Sequence, residues 1–276
     1  MPCLLRDDTA LVIDVGDYKM NKIFAIFIVL LISCETPSKE KTNIIDKELD
    51  IESYRMTIDS AKAMLPAGVR ILKEHVENST YQAFYICEFE NFPKVKYLKN
   101  FDFREHEMRT YNSMLHHVGK KKFSRIQKKD NHGLRRNWLP VYRYDDKYYT
   151  YAPSDWGNCG KRIITDSTFV HWYMDGPYPS LIQDIEKISE KIYKLKLGYI
   201  GLNKSSIVML TISELIDPKH VWLFEFDYGE GILERELYVP IENANEINLI
   251  VNHSPMDKMK EFKFEKLKID ESVNNR

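Results

Sequence analysis

Four groups of side chains in this sequence could carry chemistry: a thiol near an imidazole, paired carboxylates, clustered histidines and a set of large aromatics. Cys159 and His171 can be drawn as a nucleophile and its base, because an imidazole within hydrogen-bonding reach activates a thiol. Cys159, however, ends the turn-rich run PSDWGNC and His171 falls inside a strand-like run, a context that reads as plain structure. Glu225 and Asp227 alternate onto one face of a strand, and Glu234 and Glu236 onto one face of the next. Paired carboxylates hydrolyse glycosides only across a cleft of about 5–9 Å, and two solvent-facing edges account for these four more simply. Four of the eight histidines, His106, His116, His117 and His132, lie between Tyr97 and Arg136. On a helix over 103–118, His106 and His117 share a face but stand about 16 Å apart along the axis, too far for one metal. Among the rings of Tyr149, Tyr151, Trp156, Trp172 and Tyr178, those exposed would stack on sugar faces and those buried would fill a core. Trp156 in its turn, with Trp172 and Tyr178, makes the candidate ligand-binding set.

The motifs that usually signal an enzyme are missing: no GxSxG elbow, no GxxxxGK[ST] loop, no CxxC and no complete GxGxxG. The sequence therefore assigns no catalytic residue, no metal and no cofactor, and favours a non-enzymatic protein. A glycan-acting hydrolase is the enzymatic alternative.

The elements that must position these groups begin at a different place. Residues 20–34 read MNKIFAIFIVLLISC, with Lys22 before an apolar core of export-signal length. A membrane-crossing helix would need roughly 20 apolar residues, about twice this run. The last four, Leu31-Ile32-Ser33-Cys34, resemble a bacterial lipobox. That resemblance implies cleavage before Cys34, lipidation of its thiol and acylation of the new amino terminus, which together satisfy the two-signal requirement for stable anchoring. It also implies an address at the cell membrane or outer membrane, facing the periplasm or the cell surface. Residues 1–19 carry Asp7, Asp8, Asp14 and Asp17 where an export signal wants base. They are expected to come from an over-extended reading frame starting before Met20.

Residues 34–50, charged and poor in aromatics, are expected to form a lipidated tether, and residues 51–276 a single globular domain. Without residues 1–33, the 40 basic and 41 acidic residues of the chain fall to 37 each, so no global field points to nucleic acid. Eight Lys or Arg residues between Lys120 and Arg136, with only Asp130 against them, make a local basic strip. It suits anionic lipid or an acidic glycan, or is simply a solvated loop. With Cys34 lipidated, Cys87 and Cys159 are left either to form a disulfide outside the cytoplasm or to serve as small core residues.

The body is rich in strand formers. A short helix, a break and another short segment are expected over 51–76, the first good strand over 81–89, and a regular series of short strands across 138–267. Asp145-Asp146 and Gly229-Glu230-Gly231 mark hairpins. Short strands at this spacing, without helical patterns between them, predict a mainly β (α+β) fold: an antiparallel barrel or sandwich with a short helical N-terminal region. The run KYYTYAPSDWGNCGKRIITDSTFVHWYMDG, with the strands at Ile182 and Tyr193, resembles the meander of lipocalin-like lipoproteins, in which successive hairpins wrap a barrel. The likeness lies in that rhythm and in the turn Ile164-Thr165-Asp166-Ser167-Thr168. The resemblance implies a barrel; the whole sequence is read as a lipid-anchored module that binds a ligand (lipid or glycan) or an envelope partner, with a structural or assembly subunit of an envelope complex as the alternative.

Overall fold

Between Asn137 and Pro240 a series of short antiparallel strands forms a meander whose first and last strands pair. The computed structural model describes residues 58–77, 80–120, 126–155, 159–200, 205–254 and 259–267. All belong to one unit, Glu52–Arg276. Cys34, the export signal, the tether and Trp156 lie outside the described residues.

Of the two expected architectures, the barrel forms. Strands β3 (Asn137–Tyr144), β5 (Arg162–Ile164), β6 (Thr168–Tyr173), β7 (Gly176–Ser189), β8 (Ile192–Ile200), β9 (Ser205–Glu214), β10 (Trp222–Asp227) and β11 (Leu233–Pro240) follow one another antiparallel. β3 closes the ring, pairing with β11 through Leu139↔Val239 and with β5 through Trp138↔Arg162. Strand β4 (Lys147–Ala152) turns back from β3 at Asp145 and Asp146, whose φ of 51° and 56° give the left-handed pair that a tight hairpin needs. It then leaves the barrel for a side sheet of β1 (Arg70–Glu77), β2 (Thr80–Cys87) and β12 (Leu249–His253), lying parallel to β12.

An eight-stranded barrel is just wide enough for side chains to fill. Trp138, Phe169, Leu195, Leu210, Ile212 and Phe224 do so here, all with essentially no exposure. The other side of the same wall is buried as well. Leu139, Val141, Leu223, Leu237 and Val239 point outward from β3, β10 and β11 into a second core shared with Tyr85, Leu249 and Val251 of the side sheet. Each such side chain contributes about 1.5–3 kcal/mol by leaving water.

The helical region is α1 (Ile58–Ala63), α2 (Val95–Lys99) and α3 (Glu105–Lys120). α3 starts where the Glu107 carboxylate accepts the Arg104 N–H at 2.8 Å, half of a capping box. It lies along β7 so closely that a Cβ on Gly176, at φ 129°, would stand 3.2 Å from the Thr110 methyl. The strand expected over 260–267 does not join a ladder. Those residues form a strap with one backbone bond, Glu265 N to Arg143 O at 3.2 Å. Side chains hold it instead: Phe262 and Phe264 pack on Tyr142, Tyr144 and Tyr151.

Candidate functional site

The barrel interior is apolar at one end and polar towards the β6–β7 and β10–β11 turns. Arg162 faces inward on β5 because Ile164, two residues on, does. Its Nη2 donates to both Glu236 oxygens at 3.2 and 3.0 Å, and its Nη1 to the Gly160 and Lys161 carbonyls. The guanidinium sits 5.3 Å from the ring centroids of both Tyr173 and Tyr238. Tyr238 Oη donates to Glu236 at 2.6 Å, and Tyr228 Oη to Glu234 at 3.0 Å. Burial works to raise the Glu236 carboxyl pKa, but the Arg162 charge and the Tyr238 bond outweigh it and hold it below the ordinary 4.5. Burial, then the Arg162 charge, push the His171 imidazole well below 6.5, so it is neutral. His171, Ser180, Leu197, Val208, Phe226 and Tyr228 surround a gap that does not admit a water-sized sphere.

This arrangement corrects one expectation. Glu225 and Asp227 do face outward, with Glu225 bonded to Arg235 at 2.6 Å, but Glu234 and Glu236 point into the barrel rather than into solvent. The drawn pair Cys159 and His171 is not formed either: the thiol belongs to the core outside the barrel wall and the imidazole to its interior.

The aromatic set is divided by the same wall. Trp172 faces outward, its ring 4.9 Å from Phe103 and 5.4 Å from the Lys161 ammonium. Tyr178 pairs with His171 on the inner face and donates to Asp175 at 2.5 Å, which with burial raises its pKa to about 12. The two therefore share no surface. Cys87 and Cys159 are free thiols, not a disulfide, and both pack in the core between the barrel and the side sheet. Burial raises their pKa values to about 11 and about 12, so neither is a ready nucleophile. Of the basic strip, the described Lys128 lies 3.6 Å from Asp166. No metal-holding cluster of His, Cys, Asp or Glu occurs among the described residues.

Sequence reasoning missed an open cleft of about 310 Å³, within the size range of small-ligand sites. Three separate connections build it: Asp146, Lys147 and Tyr148 from the β3–β4 hairpin, Asp217 and Pro218 from the β9–β10 loop, and Glu246, Ile247 and Asn248 before β12. Tyr148, Pro218 and Ile247 offer its apolar surface. Lys147, Asp217 and Asn248 keep their side-chain polar groups unpaired among the described residues. No protein-family model, curated protein or solved structure matches this chain. The cleft and the barrel network thus stand on their own geometry. A signal for Arg162 existed in the sequence, since it alternates with Ile164; none existed for the cleft, whose parts are some 30 to 100 residues apart.

Proposed function

We propose that this protein is a cell-envelope lipoprotein, lipidated at Cys34, that holds a hydrophilic ligand of glycan type in the cleft beside Tyr148. The observation that carries the reading is the contrast between a barrel filled by its own side chains and an open cleft of about 310 Å³ with unpaired amine, carboxylate and amide groups beside Tyr148, Pro218 and Ile247. Sugars need both: rings stack on planar apolar surface while hydroxyls bond to polar side chains. A filled interior favours this over carriage of a lipid inside the barrel.

Titrating the lipidated protein against neutral, acidic and amino oligosaccharides by calorimetry tests the cleft. Saturable binding that Asp217→Ala and Asn248→Ala each weaken about tenfold, roughly 1.4 kcal/mol, is the expected result. Binding that survives both substitutions, or none with any oligosaccharide, removes the reading. Incorporation of labelled palmitate that disappears in Cys34→Ala tests the anchor. A second reading, docking on an envelope partner, is favoured by Ile207, Met209, Ile232 and Leu233, which are 41–59% exposed near one rim of the barrel.

A further inference from the structure

Strand β1 is the free edge of the side sheet: β2 pairs with it on one side, and no described strand lies on the other. Such an edge offers a row of unpaired backbone groups, and charged residues or a bulge often close it to other chains. Here both devices are present, but they combine into a self-complementary pattern. The shift in register between Ile71 and Lys73 sets Leu72 as an extra residue in the ladder, so Arg70–Glu77 occupies seven paired positions. Without the bulge, Ile71 and Val76, being five apart, would point to opposite faces. With it they share one face, opposite Tyr85 and Tyr81, while Arg70 and Glu77 share the other, opposite Ile86 and Thr80.

We propose that β1 pairs antiparallel with β1 of a second copy about a two-fold axis at Glu74, joining two four-stranded side sheets into one. In this register Arg70 meets Glu77 of the second copy on one face, twice over. Ile71 and Val76, 44% and 49% exposed in the single chain, cover each other on the opposite face. The Leu72–Lys73 bulge falls opposite His75. An isologous contact of this kind requires the same patch to complement itself, and the order Arg-Ile-Leu-Lys-Glu-His-Val-Glu does so in sign and in polarity. The cost lies at the axis, where Glu74 faces its own copy. Each Glu74 carboxylate is drawn back onto its own chain, accepting the Tyr81 hydroxyl at 2.5 Å with Lys62 3.8 Å away. One strand pair covers less than the roughly 1,000 Å² of a stable interface, so the contact is weak and reversible.

The test is a charge swap followed by sedimentation of the full chain in detergent over a concentration series. Arg70→Glu and Glu77→Arg should each weaken self-association about tenfold, and the double variant should restore it to within about threefold. Glu74→Gln should tighten it a few-fold. Ile71→Cys with Val76→Cys should give an oxidised cross-linked dimer in intact cells. All these positions are exposed or partly so, which spares the monomer fold. A chain that stays monomeric and does not cross-link overturns the proposal, as does a double variant no better than either single one.

Discussion

Arg162 on β5 and Glu236 on β11 meet at 3.0 Å inside the barrel, across the strand that closes it, β3. The seam of the barrel is therefore tied from within by an ion pair whose arginine is only 3% exposed. A buried pair adds little over a well-packed apolar pair, but breaking it leaves a charge without a partner. Glu236→Ala should cost about 3 kcal/mol in urea unfolding, while Arg162→Met with Glu236→Leu should cost much less.

The same pair sets an acid limit. Because the folded Glu236 pKa lies below its ordinary value, its contribution is fully present above about pH 4.5 and is lost as pH falls through the folded value. Unfolding midpoints measured from pH 5 downward should fall more steeply for the wild type than for the Arg162→Met, Glu236→Leu variant.

Lys161 gives a slope of the same sign at the alkaline end. Its ammonium donates to the Tyr97 and Asn100 carbonyls at 2.7 and 2.6 Å, and burial lowers its pKa from 10.5 to about 8. Between those values the unfolded chain binds the extra proton, so stability rises with pH. The rise should be visible from pH 8 to 9, before the raised thiols of Cys87 and Cys159 act in the other direction, and absent in Lys161→Met.

Glu261 fastens the strap. It accepts the Tyr151 hydroxyl at 2.5 Å, Ser154 Oγ at 2.8 Å and Asn252 Nδ2 at 2.9 Å. Glu261→Ala should leave buried donors unpaired at a cost of about 1–3 kcal/mol in thermal unfolding. It should also increase dye binding by uncovering the rings beneath Phe262 and Phe264.

The buried Cys159 thiol should resist a thiol reagent in the native protein and react once it is unfolded. Prompt reaction of Cys159 in the native state would contradict the packing around it.

Where the sequence misled, the cause is burial on two sides. In β11, Leu237 and Val239 look like the residues that line a barrel, and Glu234 and Glu236 like its wet face. The side sheet buries the outer pair, so the inner positions carry the carboxylates and Tyr238. Alternation says which residues share a face, but not which face is inside when both are covered. Residues 260–267 failed for a related reason: Phe262 and Phe264 alternate as in a strand, yet they lie over a sheet face and add nothing to its edge.

The sequence by itself determined the run of short strands over 138–251, the hairpins at Asp145-Asp146 and Gly229-Glu230-Gly231 and the mainly β class. These rest on local periodicity and turn chemistry, which a linear chain carries in full. Only the tertiary structure decided that the meander closes through β3, that Arg162 and Glu236 meet across the seam, and that Tyr148, Asp217 and Asn248 share one cleft. Each of these depends on contacts between residues some 30 to 100 positions apart, whose register is set by the twist and closure of the whole sheet rather than by any stretch of it.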